Sequence, residues 1–269
     1  MENKLHVAAI QMVSSSNWEV NLAAAERLIR EAAAAGAELA ILPEFFIRIA
    51  NSHDSEFLNL VEHLGEGKIQ KQLSSIAKKN NIFLVAGTIP TRASSSTKCY
   101  NTCIVYDNYG NQICYYHKIH LFKFNKGEHQ YDEEAKFERG NQVTTFTIEN
   151  FTFGLSICYD LRFPEIFRQM AGVDCMILPA AFVYHTGEAH WEVLLRARAI
   201  ENQCYIIASA QGGAHDNGRQ TYGHSMIIDP WGKVNAVLDS GEGVVLGLIE
   251  KQVITEIRNQ LPALEHRRL

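Results

Sequence analysis

The sequence predicts an α/β protein built on mixed sheets, and three observations carry that reading. Short runs of strand-forming residues alternate with helical patterns toward both ends of the chain; the middle holds pairs of apolar runs separated by turn residues; and one strand-and-turn unit occurs twice.

The first part has βαβα grammar. A strand runs from Leu5 to Met12, a helix from about Glu19 to Ala35, a strand from Leu39 to Leu42, a helix near Ile69 to Lys79, and a strand from Ile82 to Thr88. The middle reads as antiparallel. Asn101 to Tyr106 and Gln112 to Lys118 flank the turn Asp107-Asn-Tyr-Gly-Asn111, and Asn150 separates two more apolar runs. Alternation then resumes with a helix from Pro164, a strand from Cys175 to Leu178, a helix around His190 to Glu201 and a strand from Tyr205 to Ala210. A Gly-rich loop, a hairpin around Asp229-Pro-Trp-Gly232 and a strand from Gly243 to Ile249 follow.

The repeated unit is Ala35-Gly-Ala-Glu-Leu-Ala-Ile-Leu-Pro-Glu-Phe-Phe46, echoed by Ala171-Gly-Val-Asp-Cys-Met-Ile-Leu-Pro-Ala-Ala-Phe182. Each is a helix end, a glycine, a strand and Leu-Pro. The echo implies two pseudo-equivalent halves whose corresponding strand ends face one cleft; shared αβ punctuation is the other explanation. Only the first copy has a carboxylate after its proline.

With 269 residues, 46% of them hydrophobic, the chain is long enough for a sizeable core, and residues 1–269 read as one domain. No Pro- or Ser-rich linker divides them, the Ser94-Ser95-Ser96 cluster being loop-sized. The formal charge is −5, with basic residues scattered rather than clustered, so nucleic acid is not an expected partner. Met1-Glu-Asn-Lys-Leu5 is unlike a signal peptide, and no apolar run of about 18 residues occurs, so a cytoplasmic protein away from membranes is expected. Six cysteines, at 99, 103, 114, 158, 175 and 204, form no C-x-x-C pair; neither a disulfide framework nor a zinc site is expected.

Three residues invite a chemical reading. Cys158 ends a strand-like run and meets a charged, proline-marked helix start, where an α/β sheet exposes ligand-facing groups and a helix N-terminus favours an anion. The competing reading is a buried apolar filler. Glu44 follows Pro43 at a strand end beside Phe45 and Phe46, a setting suited to a group that takes and returns a proton; a solvated loop carboxylate is the alternative. Lys118 lies among apolar and aromatic residues in Tyr115-Tyr-His-Lys-Ile-His-Leu-Phe122, so it either meets a buried anion or developing oxyanion, or snorkels to the surface.

Together and in this order, Leu42-Pro-Glu44, Lys118-Ile-His-Leu121 and Cys158-Tyr-Asp-Leu-Arg-Phe-Pro-Glu165 resemble the glutamate, lysine and cysteine motifs of the nitrilase superfamily of carbon–nitrogen hydrolases. The resemblance runs on through His190-Trp-Glu-Val-Leu-Leu-Arg-Ala-Arg-Ala-Ile-Glu201 and Gly223-His-Ser-Met-Ile-Ile-Asp-Pro-Trp-Gly232, nearly the whole chain. It implies a four-layer αββα sandwich of mixed sheets, usually a homodimer joined through an α surface. It also implies roles: Cys158 as nucleophile, Glu44 as general base and acid, and Lys118 as oxyanion stabiliser. Alignment on Phe137 and Gly140 places the family's additional glutamate at Glu133, with Asp132 and Glu134 adjacent enough for a slip of one residue.

Within the superfamily the cysteine and histidine motifs look most like those of amidases acting on deaminated glutathione, with ω-amidases acting on α-ketoglutaramate as near neighbours. The implied reaction forms a thioester on Cys158, releases the amine and hydrolyses the thioester, with a small-molecule amide as substrate and no metal or organic cofactor. For deaminated glutathione the products are 2-oxoglutarate and cysteinylglycine. A non-catalytic member that keeps the fold for binding is the alternative from another class.

Four positions are expected to meet substrate. The backbone N–H of Tyr159 joins Lys118 at the oxyanion. Arg162, one turn beyond Cys158, is the candidate clamp for an α-keto carboxylate, its alternative being an ion pair with Glu165. Phe182 walls the carbon chain, with Tyr184 and Thr186 in the following loop, and the loop from Gln211 to Gly223 forms part of the entrance. His117, His120, His185 and His190 form no H-E-x-x-H pattern, so no metal is expected, and Arg196 and Arg198 with Glu192 and Glu201 read as helix ion pairs.

Overall fold

The first strand explains the layering. In β1 (Lys4–Gln11) both faces are buried: Leu5, Val7 and Ala9 belong to one apolar cluster, Ala8 and Ile10 to another. A strand apolar on both faces lies between two layers. This is a computed structural model of the protein, and it describes residues 3–49, 55–93, 98–126 and 129–268. Ser94, Ser95 and Ser96, and the first two residues, lie outside the described residues.

The layer against Ala8 and Ile10 is helical. Helix α1 (Trp18–Ala34) starts where the Asn17 side chain accepts from the N–H groups of Glu19 and Val20, and it buries Leu22, Ala25, Leu28, Ile29 and Ala32 at helical spacing. After β2 (Leu39–Ile41), α2 (Lys68–Lys79) adds Ile69, Leu73, Ile76 and Ala77 to the same cluster. The first sheet continues through β3 (Phe83–Arg92), β4 (Cys99–Tyr106) and β5 (Gln112–His117), and a small hairpin of β6 (Lys123–Lys126) and β7 (His129–Asp132) leads to β8 (Phe137–Glu138) beside β4.

The second half repeats the plan. Strands β9 (Thr145–Ile148) and β10 (Phe151–Leu155) precede α3 (Pro164–Gln169), β11 (Cys175–Ala180), α4 (Tyr184–Asn202), β12 (Tyr205–Ala210), β13 (Ser225–Ile228) and β14 (Val234–Leu238). In the first sheet β1, β2 and β3 are parallel while β4 and β5 run antiparallel; in the second, β10, β11 and β12 are parallel while β13 and β14 run antiparallel. The echoed segments are therefore β2 and β11, each the central parallel strand of its sheet. Strand β15 (Gly243–Glu250) crosses back to pair with β1, and α5 (Lys251–Gln260) ends the fold.

The sheets pack face to face through Leu5, Val7, Leu39, Ile41 and Val85 against apolar side chains of the second sheet. They also share main-chain bonds at one end, since Met12 N donates to Ala210 O (3.4 Å) and Gly212 N to Met12 O (2.8 Å). Ser209 Oγ on β12 reaches Ile41 O of β2 at 3.0 Å. The αββα architecture matches the expectation.

Some elements differ from the sequence reading. Helix α4 begins at Tyr184, so Thr186 lies in its first turn rather than in a loop. Strand β11 runs through Pro179, which is tolerated because β10 pairs with it only as far as Ile177. The β6–β7 hairpin and α5 were not expected. The hairpin is charged and short, and α5 follows β15 with no turn residue between Glu250 and Lys251. Among the described residues, no helix is long and apolar enough to cross a membrane.

Candidate active site

The site gathers where β2, β5 and β10 end. Glu44 follows β2 in a turn that passes close to β3, where a Cβ at Gly87 would lie 2.0 Å from Pro43 O, so only glycine admits it. The next residue, Phe45, has φ of 55° and donates its N–H to Thr88 Oγ1 at 2.8 Å. Gln211 Nε2 holds Glu44 O from the other sheet at 3.1 Å. The backbone around Glu44 is thus fixed from three directions.

Glu44 is 1% exposed, and each of its oxygens has a donor. Oε1 accepts from Lys118 Nζ at 2.8 Å and Asn101 Nδ2 at 2.9 Å; Oε2 accepts from Ala181 N at 2.9 Å. Ala181 follows β11, so the second echo supplies a main-chain donor to the carboxylate of the first.

Lys118 is wholly buried just after β5, with its N–H on Asn101 O (2.9 Å) and its carbonyl accepting from Gly140 N (2.9 Å). A Cβ at Gly140 would come within 2.1 Å of His117 O, which explains a glycine at this approach. Its ammonium also meets Glu133, at 3.0 Å to Oε1 and 2.8 Å to Oε2. Burial works against the charge, but the carboxylates of Glu133 and Glu44 more than offset it and hold the ammonium above its usual pKa. The snorkelling alternative is excluded. Burial raises the pKa of Glu133, against the pull of Lys118.

The register around Glu133 is unambiguous in geometry. Asp132 pairs with Lys123 at 2.8 Å and Glu134 with Arg139, leaving Glu133 to face the lysine and accept from Phe122 N at 2.7 Å.

Cys158 opens a 3₁₀ turn (Cys158–Arg162) with φ of 47°, a left-handed conformation that costs a non-glycine residue about 1–3 kcal/mol and concentrates at functional positions. It is 8% exposed. Its pKa is raised well above the usual thiol value, first by burial and then by the Glu44 carboxylate, with Lys118 pulling the other way. The thiol is protonated at rest, with a carboxylate in hydrogen-bonding position.

The brace for this turn escaped the sequence reading. Asp160 is fully buried and accepts from Ile157 N (2.8 Å), Tyr116 Oη (2.8 Å), His120 N (3.0 Å) and His120 Nδ1 (2.7 Å). It joins the cysteine turn to β5 and to the segment after Lys118. Arg198 holds the end of the same turn through Leu161 O, at 3.1 and 2.8 Å. Asp160→Asn sets an amide among donors it cannot accept from as well and is expected to lower stability by roughly 2–3 kcal/mol, read as a lower melting temperature. An unchanged melting temperature would refute the brace.

The expected substrate contacts divide. Arg162 is half-buried, 5.2 Å above the Phe182 ring and 6.0 Å from that of Tyr159, and among the described residues it has no carboxylate partner. The alternative pair with Glu165 does not form; Nη1 instead lies 3.2 Å from His190 Nδ1. Phe182 directly follows Ala181 and packs on Trp191. The Thr186 hydroxyl donates to Val183 O at 3.2 Å within its own helix, which leaves its hydrogen away from the cleft. Glu192 and Glu201 pair with Arg196 (3.3 Å) and Arg198 (2.8 Å). Asn101, like Asp160, was missed; both are polar residues inside apolar runs.

The arrangement can accept a proton at Glu44, hold negative charge at Lys118 and present a sulfur nucleophile, all in a buried volume where electrostatic terms are strong. Comparison with known proteins gives the family. The carbon–nitrogen hydrolase family model matches residues 6–259. Deaminated glutathione amidase of Synechocystis is 41% identical over 268 residues, covering 97% of each chain. The crystal structure of Saccharomyces cerevisiae Nit3, a member of branch 10 of the nitrilase superfamily, superposes with a TM-score of 0.89 at 32% identity, covering 100% of this chain and 98% of that one. That of Caenorhabditis elegans NitFhit gives 0.87 at 34%, with 99% of this chain matching 65% of that longer protein. The chain belongs to the carbon–nitrogen hydrolase family of the nitrilase superfamily and is an amidase.

Proposed function

We propose that this amidase hydrolyses deaminated glutathione to 2-oxoglutarate and cysteinylglycine through a thioester on Cys158. The observation that carries the chemistry is the buried contact of Cys158, Glu44, Lys118 and Glu133, since one ammonium held by two carboxylates beside a thiol serves no evident packing purpose. The substrate rests on full-length relatives that bear that name and on the guanidinium of Arg162 beside Phe182, which among the described residues has no carboxylate partner.

Glu44 takes the thiol proton as Sγ attacks the amide carbonyl carbon. The oxyanion is met by Lys118 and by the N–H of Tyr159, a first-turn amide with no acceptor inside its own 3₁₀ turn. Glu44 then gives the proton to the departing nitrogen, the carbon–nitrogen bond breaks, and cysteinylglycine leaves. Water attacks the thioester as Glu44 takes one of its protons. Collapse of the second oxyanion releases the keto acid, and the thiolate regains the proton. Glu133 keeps the ammonium directed and charged throughout.

Steady-state assays on deaminated glutathione, α-ketoglutaramate, simple nitriles and N-carbamoyl amino acids test the reading. The expected order puts deaminated glutathione first by kcat/KM. A preference for α-ketoglutaramate would make the protein an ω-amidase, a preference for nitriles would remove the amide assignment, and no turnover of any of them would favour a binding role.

A further inference from the structure

The loop from Gln211 to Gly223 is fastened to the site at both ends. Gln211 Nε2 donates to Glu44 O, Tyr222 N donates to Phe182 O at 2.9 Å, and Thr221 bridges Val183. Between these anchors Arg219 reaches the β6–β7 hairpin, its guanidinium 5.3 Å above the Tyr131 ring. A row of rings leads inward from there. Tyr131 packs on Phe122 at 5.8 Å, and Phe122 packs edge-on against Tyr159 at 5.1 Å, the residue next to Cys158.

Arg219 is half-buried, yet among the described residues no carboxylate pairs with its guanidinium. Asp216, the nearest acid in sequence, is engaged by Ser16 through N (2.9 Å) and Oγ (2.7 Å). A guanidinium over an aromatic ring is held by its attraction to the ring face, while its N–H donors can still meet an anion. Arg162 is a second such cation, over Phe182 and Tyr159. Two arginines without acid partners among the described residues thus border the aromatic wall beside Cys158.

Resting on the substrate assigned above, whose two ends each bear a carboxylate, we propose that Arg219 binds the terminal carboxylate of the departing dipeptide while Arg162 takes that of the keto acid. Arg219 is then the residue that sets preference for the leaving group. The dipeptide spans roughly 7 Å when extended, at about 3.3–3.6 Å per residue, so its carboxylate lies well away from the bond that breaks. A planar fork on a carboxylate gives direction as well as affinity. An ammonia leaving group offers it nothing.

The test compares wild type, Arg219→Ala and Arg219→Lys on deaminated glutathione, its C-terminal carboxamide and α-ketoglutaramate. For Arg219→Ala, kcat/KM on deaminated glutathione should fall about 10- to 100-fold, chiefly through KM, with Lys intermediate. On the carboxamide and on α-ketoglutaramate the change should stay within about twofold. Equal losses on all three substrates would mark a structural role for the loop and overturn the proposal, as would no loss on any. If wild type prefers α-ketoglutaramate, the substrate assignment falls and this proposal with it; if wild type hydrolyses deaminated glutathione and Arg219→Ala matches it, this proposal alone falls.

Discussion

Cys158→Ala is expected to abolish turnover of every amide substrate, lowering kcat by on the order of 10⁴-fold or more, while the protein folds and melts close to wild type. The size follows from the chemistry proposed, since no other nucleophile is available to form the acyl-enzyme. Five other cysteines are free, but none lies against Glu44 and Lys118. Stability should change little because the substitution removes one sulfur atom and keeps the apolar character of a buried position. In the wild type the raised thiol pKa means that Cys158 is not a standing thiolate; deprotonation accompanies attack. Steady-state kinetics and thermal melting check the variant, and mass spectrometry of quenched wild type should find the acyl group on Cys158. Substantial turnover by the variant would sink the thioester route.

Lys118→Met should lose both activity and stability. Among the described residues the ammonium is the only counter-charge touching Glu44 and Glu133, so its removal leaves a buried and a partly buried carboxylate facing each other. Breaking a buried pair in this way costs about 3–5 kcal/mol, which for a chain of this size lowers the melting temperature by roughly 10 °C. Loss of an oxyanion donor contributes on the order of 10²–10³-fold in kcat. The two effects separate in Lys118→Met/Glu133→Gln, which removes one of the stranded charges: part of the lost stability should return and the activity should not. The sign with pH follows from the raised pKa. The ammonium's contribution is complete below the ordinary lysine value of 10.5 and disappears only as pH rises through the higher folded value, so no lysine-dependent change in stability is expected near neutrality. Wild-type kcat in the single variant would remove Lys118 from the mechanism.

Much of this site could be read from the chain because its parts sit at element ends with telling neighbours. Glu44 after Leu-Pro and Lys118 among aromatics carried their own signals, and the repeated Leu-Pro unit marked two strands with ends facing one cleft, which are the central parallel strands of the two sheets. Three things were hidden. The register of Glu133 depends on which of three adjacent acids is claimed by Lys123 and Arg139, which only folded geometry decides. Asp160 and Asn101 act through partners distant in sequence, 57 residues from Asn101 to Glu44 and 44 from Tyr116 to Asp160. A buried polar residue in an apolar run announces that it needs a partner, but not which one. Helix α5 did leave a trace: Val253, Ile254, Ile257 and Leu261 recur at helical spacing, yet the pattern continues a strand without any stop signal.

The bond from Ala181 N to Glu44 Oε2 makes the two halves of the molecule mutually dependent. The position after the proline is a carboxylate in one copy and an alanine, Ala180, in the other, and it is the next residue of the second copy, Ala181, that meets the carboxylate of the first. Neither half contains a working centre by itself, and the half without the acid steers the acid of its counterpart. The alignment of the two sheets and the orientation of the Glu44 carboxylate are therefore coupled through this bond. The Met12, Ser209 and Gln211 bonds stitch the sheets beside this point and hold that alignment.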